Sequence, residues 1–164
     1  MKVLVVYMSQ TGNTKKVAEA IYDAIPQPKE IKQIEDVTSL EGYDLAFLGS
    51  PMHGYGPDKK VKTFLETHVK GRSIALFITH MAPENAPPLQ GWIQKFSDAA
   101  VGANIVGVFD CQGQLNSRLL KILLRITRNA QRLAAARAGQ GQPDATRLER
   151  ARTFANETMN KLKT

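Results

Sequence analysis

The sequence has one cysteine, one tryptophan and no apolar run near the about 18 residues that a membrane-spanning helix needs. Each shortage removes a class of protein. A lone thiol, Cys111, can form neither an intramolecular disulfide nor a multi-thiolate zinc or iron–sulfur site, which excludes stapled secreted scaffolds and zinc ribbons. The cytoplasm is the expected compartment. The apolar opening, residues 3–7, is too short for a signal-peptide core and reads as a buried strand. Eight Pro and 12 Gly in 164 residues, with 23% charged and 43% hydrophobic residues, exclude disorder and fibrous repeats. One globular domain over 1–164 is expected. Carboxylates are scarce near the C-terminus: residues 1–114 hold 11 Lys or Arg against 12 Asp or Glu, net −1, whereas residues 115–164 hold 11 against 3, net +8. The body is neutral and the tail is basic.

What is present is an alternation of short apolar runs with helical periodicity. The runs fall at 3–7, 44–49, 73–79 and 104–111, with a weaker one near 30–34. Between them Val17, Ile21, Ala24 and Ile25, then Val61, Phe64 and Leu65, then Leu89, Trp92, Ile93 and Phe96 recur at helical spacing, each set one stripe facing a sheet. This predicts an α/β protein, a three-layer doubly wound sandwich around a five-stranded parallel sheet. A helical stretch over about 115–138, a Gly-Gln-Gly-Gln-Pro break and a last helix with Leu148, Ala151, Ala155 and Leu162 inward complete it. In such folds ligands sit outside the carboxyl ends of the strands, so function is expected in the strand-to-helix loops.

The first of these loops is Ser9-Gln10-Thr11-Gly12-Asn13-Thr14. Three hydroxyls and a glycine at a helix N-terminus let unpaired backbone N–H groups close around a phosphate, although the same residues also serve as an ordinary N-capping turn. The loop lacks the Lys-Ser/Thr ending of a P-loop and the three-glycine dinucleotide fingerprint, which disfavours nucleoside triphosphate and NAD. It resembles the flavodoxin phosphate loop, Ser/Thr-x-Thr-Gly-x-Thr, at every specified position. Residues 40–51, with Tyr43-Asp44 before the strand and Gly49-Ser50-Pro51 after it, resemble that family's third strand and second flavin loop; Phe109-Asp110-Cys111-Gln112-Gly113-Gln114-Leu115 resembles a fifth-strand ending of flavodoxin-like proteins. The resemblance covers about 1–114 and the final helix. It implies strand order 2-1-3-4-5 and FMN as cofactor, its ribityl phosphate wrapped by the first loop.

The resemblance also implies that the next two loops hold the flavin ring. One contains Pro51, Met52, His53, Gly54, Tyr55 and Gly56, the other Thr79, His80 and Met81; Tyr55, Met52, His80 and Met81 are the candidates to lie on the ring face. Gly54 or Gly56 would be the pivot of a peptide that turns its carbonyl toward a flavin N–H. No carboxylate-rich cluster accompanies the three histidines, so no metal site is expected. Trp92 reads as core, and Cys111 as a small buried hydrophobe.

Electron carriage by bound FMN is the function this implies, with an FMN-dependent oxidoreductase acting on a quinone or protoporphyrinogen as the alternative. The departures from the family are the basic segment at 115–143 before the last helix, the net charge of +7 and the absence of Trp from both ring loops. On one continuous helix Arg118, Lys121, Arg125, Arg128 and Arg132 make a stripe about 80° wide. It reads either as the solvated edge of a helix packed on the body or as a surface for an acidic redox protein or an anionic membrane, not for nucleic acid, since the segment has no aromatics to stack on bases.

Overall fold

Alternation along the strands decides which helix covers which face. A computed structural model describes residues 1–162. In chain order the elements are β1 (Val3–Tyr7), α1 (Asn13–Ala24), β2 (Lys29–Gln33), a 3₁₀ turn (Ile34–Asp36), β3 (Leu45–His53), β4 (Gly56–Pro57), α2 (Lys59–His68), β5 (Ser73–His80), α3 (Leu89–Ala99), β6 (Asn104–Gln112), α4 (Ser117–Ile126), α5 (Ala130–Ala138) and α6 (Ala145–Lys161). Val3, Val5, Leu45, Phe47, Ala75 and Phe77 pack with Val17 and Ile21 of α1 and Ala151 and Ala155 of α6. Their odd-and-even neighbours Leu4, Val6, Ala46, Leu48, Ile74 and Leu76 pack on the other face with α2 and α3. Each large aliphatic buried this way contributes about 1.5–3 kcal/mol.

The parallel strands run in the order β2-β1-β3-β5-β6, and the two-residue β4 folds back antiparallel on β3. Without β4 this is the expected 2-1-3-4-5 arrangement. The β2 edge is guarded by charge: Lys2 and Lys32 each lie 2.7 Å from Glu30, and their hydrogen bonds hold the Glu30 carboxyl down at about 2.

One expectation changes. The helical stretch over 115–138 is two helices, because Thr127 is extended (φ −104°, ψ 133°) and Asn129 caps the second, its Oδ1 accepting the Arg132 N–H at 3.0 Å. Arg118, Lys121 and Arg125 therefore share α4, Arg128 lies in the break and Arg132 is on α5, so the five-residue stripe is not one helix face. The expectation failed because periodicity alone cannot register a cap inside an otherwise helical pattern.

Candidate functional site

Parallel pairing brings the ends of β1, β3, β5 and β6 to one edge of the sheet, and with them the loops singled out in the sequence. The first loop is shaped by Gly12, whose φ of 89° is left-handed and would strain any side chain. A Cβ there would meet nothing within 4 Å, so the glycine answers to backbone geometry rather than crowding. Ser9 Oγ accepts the Gly12 N–H at 3.1 Å and closes the loop on itself. The first bond of α1 runs from the Lys16 N–H to the Gly12 carbonyl, 3.0 Å, which leaves the N–H groups ahead of it unclaimed by the helix. In α2, α4, α5 and α6 an Asp or Asn side chain caps the corresponding turn; α1 has none, nor does α3, which starts after Pro88.

Thr14 is buried and its hydroxyl lies 2.8 Å from that of Thr79 at the end of β5, which joins the first loop to the third. Asn13 Nδ2 donates to the Gln114 carbonyl at 2.7 Å and joins it to the segment after β6, while Asn13 Oδ1 is buried with no hydrogen-bond partner. Gln10 and Thr11 stay exposed at the tip.

The second loop is a two-residue hairpin pairing Met52 with Pro57 and His53 with Gly56. Its central residues, Gly54 (φ 54°) and Tyr55 (φ 67°), both have left-handed φ, as the tight turn between right-twisted strands demands. A tyrosine in that region costs about 1 kcal/mol. Its ring lies 4.5 Å from the Trp92 ring of α3, tilted by 39°, a contact worth about as much, and it remains 50% exposed. Met52 packs against the α2/α3 core, and His53 Nδ1 sits 3.4 Å from Asp58, the α2 cap. The Asp58 carboxyl is held below its ordinary value chiefly by the Lys60 N–H, against burial, with help from His53.

In the third loop the His80 ring is buried, with Nδ1 2.8 Å from the Ala82 carbonyl and Nε2 3.0 Å from Asp110 Oδ2, so it braces the loop from within. Met81 stays half-buried at the surface. Glu84 ties this loop to α6 by accepting Arg147 Nε at 2.6 Å and Arg150 Nη1 at 2.8 Å, and to the end of β6 by accepting the Gln112 N–H at 3.2 Å. Burial works to raise the Glu84 carboxyl, but Arg150, the Gln112 N–H and Arg147 outweigh it and hold it below 4.5. Cys111 is buried, and that burial, with Glu84 and Asp110 nearby, pushes its thiol up to about 12.

The structure thus brings all three predicted loops to one edge, and adds residues that the sequence did not place in the site: Trp92 under Tyr55, Asp110 on His80, Gln114 on Asn13, and the Glu84–Arg147–Arg150 cluster. A Trp on a helix stripe reads as core, and Trp92 does pack on it; only the hairpin's fold places Tyr55 on its outer side. Among the described residues no group of three or more His, Cys, Asp or Glu could hold a metal ion.

A doubly wound parallel sheet with a hydroxyl-and-glycine loop after its first strand defines a class of ligand-binding α/β proteins. Within it the chain belongs to the flavodoxin domain family, whose pattern matches residues 4–156. It is 35% identical over 173 residues to the flavodoxin-like domain-containing protein BilS of Clostridioides difficile (strain CD3), with 98% of each chain covered. A flavodoxin from the domain Archaea superposes with a TM-score of 0.63 at 20% identity, covering 100% of both chains. A Lactobacillus acidophilus flavoprotein in complex with FMN superposes with a TM-score of 0.55 at 24% identity, over 66% of this chain and 92% of that one.

Proposed function

We propose that this protein binds FMN and carries electrons in the cytoplasm. The observation that carries the reading is the open N-terminus of α1: Gly12 and the closed Ser9 turn leave a set of backbone donors without acceptors, beside the exposed hydroxyl residue Thr11. Those donors and the helix dipole suit a phosphomonoester dianion. The single loop of this kind favours FMN over FAD, which would need a second site for its adenosine phosphate.

FMN, when bound, supplies one- and two-electron redox chemistry. The chain's own part is to hold and shield it. The first loop, Ser9 through Thr14, grips the phosphate, and the Thr14–Thr79 hydroxyl contact sets the spacing between that loop and the one beginning at Thr79. Tyr55, supported by Trp92, and Met81 offer the accessible flat and polarizable groups for the ring faces, while Met52, His53 and His80 shape the loops from behind. The Gly54–Tyr55 peptide, in a turn that glycine makes easy to invert, offers a carbonyl to a ring N–H. A net charge of +7 favours an acidic protein as redox partner, through long-range steering.

An anaerobic reductive titration of the purified protein, with the released flavin identified by chromatography, tests this. The expected result is a yellow protein that releases FMN and passes its electrons to an acidic carrier protein. Release of FAD, or a colourless protein that does not take up added FMN, sinks the reading.

A further inference from the structure

The helix α4 has no buried residue, and α5 is the element it chiefly packs on. Its large aliphatics lie open: Leu119 and Ile122 are 46% exposed and Ile126 is 75% exposed. At 100° per residue these three fall within about 60° of the helix circumference, and Arg118, Lys121 and Arg125 fall within the adjoining about 60°. On the remaining side Leu120 and Leu123 are half-buried, and Leu124, 41% exposed, lies at the far edge of the cationic row. The outward half of α4 is thus one aliphatic row beside one cationic row.

None of the cations between 115 and 138 is matched by a carboxylate. That segment holds six Lys or Arg and no Asp or Glu. Among the described residues none of the six enters an ion pair, although the arginines of α6 do.

We propose that α4 is an interfacial helix that seats the protein on an anionic lipid surface. Three observations choose lipid over a protein partner or a second copy. The exposed row is purely aliphatic, whereas the centres of protein interfaces are enriched in aromatic residues and Met. Ten residues give a face about 15 Å long and roughly 10 Å wide, far short of the ~800 Å² per partner of a stable protein interface. Cations of one sign along the flank of a shallow aliphatic row match acyl chains below a layer of anionic headgroups. The helix also starts only three residues after Gln114, whose carbonyl accepts from Asn13, so a lipid-seated α4 holds the first loop close to the membrane plane.

Sedimentation with vesicles of phosphatidylcholine alone and of phosphatidylcholine mixed with phosphatidylserine tests the proposal, with roughly 50 and 300 mM salt compared. The parent protein is expected to partition to the mixed vesicles at low salt, and to lose that binding as salt rises. Arg118→Gln, Lys121→Gln and Arg125→Gln together should weaken it by about 100-fold. Leu119→Ser, Ile122→Ser and Ile126→Ser together should weaken it as well, and circular dichroism should show both triple variants folded, because every substituted side chain is exposed. The inference is overturned if the parent stays in the supernatant with mixed vesicles, if it binds neutral vesicles equally, or if both variants bind like the parent. It is also overturned if sedimentation without lipid reveals a dimer that the serine variant abolishes, since the face would then be an interface between copies. None of these outcomes depends on bound FMN.

Discussion

At the scale of single residues, the hydroxyl pair Thr14–Thr79 separates what the fold needs from what the ligand needs. Both groups are buried and each is the other's hydrogen-bond partner, so removing one strands the other at a cost of about 1–3 kcal/mol. Gly12 contributes in a different way, through a left-handed φ that a β-branched residue tolerates poorly. The double variant Gly12→Val, Thr14→Val should still fold, with a lower melting temperature, because a typical domain has about 5–15 kcal/mol in hand. It should no longer retain FMN through gel filtration. A folded double variant that keeps its flavin would show that this loop does not hold the phosphate.

At the scale of elements, two contacts between loops and helices set the site's rim. The hairpin β3–β4 carries Tyr55 in a strained turn, and its stacking on Trp92 of α3 offsets the strain. Tyr55→Asn removes both contributions, since asparagine accepts left-handed φ. Thermal stability should then change by less than about 1 kcal/mol while the Kd for FMN rises about tenfold; a large loss of stability with unchanged affinity would make the tyrosine structural. The Glu84 bridge to α6 behaves differently, because it is ionic. Its carboxyl is held below its unfolded value of 4.5, so the stability it contributes is complete above that pH and is lost as pH falls through the lower folded value. Glu84→Gln should therefore cost about 1–2 kcal/mol at neutral pH, with the gap to the parent closing in acid. Thermal melts of both proteins from about pH 7 down to 3 check the sign; a gap that widens in acid contradicts it.

At the scale of the whole molecule, the distribution of charge bears on redox behaviour. Residues 50–57 and 79–83 contain no Asp or Glu. Asp58 and Glu84 directly follow those loops and folding brings Asp110 to within 3.0 Å of His80; of the three, Glu84 is matched by cations, Arg147 and Arg150 at 2.6 and 2.8 Å. A carboxylate several Å from the ring and partly screened opposes the addition of negative charge by about 1 kcal/mol, equivalent to about 40 mV for one electron. The second one-electron potential should accordingly be less negative than in a flavodoxin with acidic ring loops. Met81→Glu should lower it by about 40 mV, measured by redox titration with dye standards. A variant potential equal to the parent's would place Met81 away from the ring.

The order of strands and helices, the two apolar faces and the position of the phosphate loop were legible in the sequence, because period-two and period-3.6 burial and a glycine between hydroxyls are local properties of the chain. The site residues were legible as a set because they cluster where the apolar runs end, although β3 runs on through Pro51, Met52 and His53 and β5 through Thr79 and His80, which the sequence pattern assigns to loops. What they touch was decided only by the tertiary structure. Trp92 lies 37 residues from Tyr55, Asp110 30 from His80, and Gln114 101 from Asn13, and no periodicity encodes a pairing across such distances. The basic segment shows the same division at close range. Its cations and aliphatics are plain in the sequence, but the cap at Asn129 divides them between two helices, and the thin packing of α4 against the rest of the chain leaves its apolar row exposed. Burial is a property of the assembled surface, and the sequence alone does not specify which faces of a helix the fold will cover.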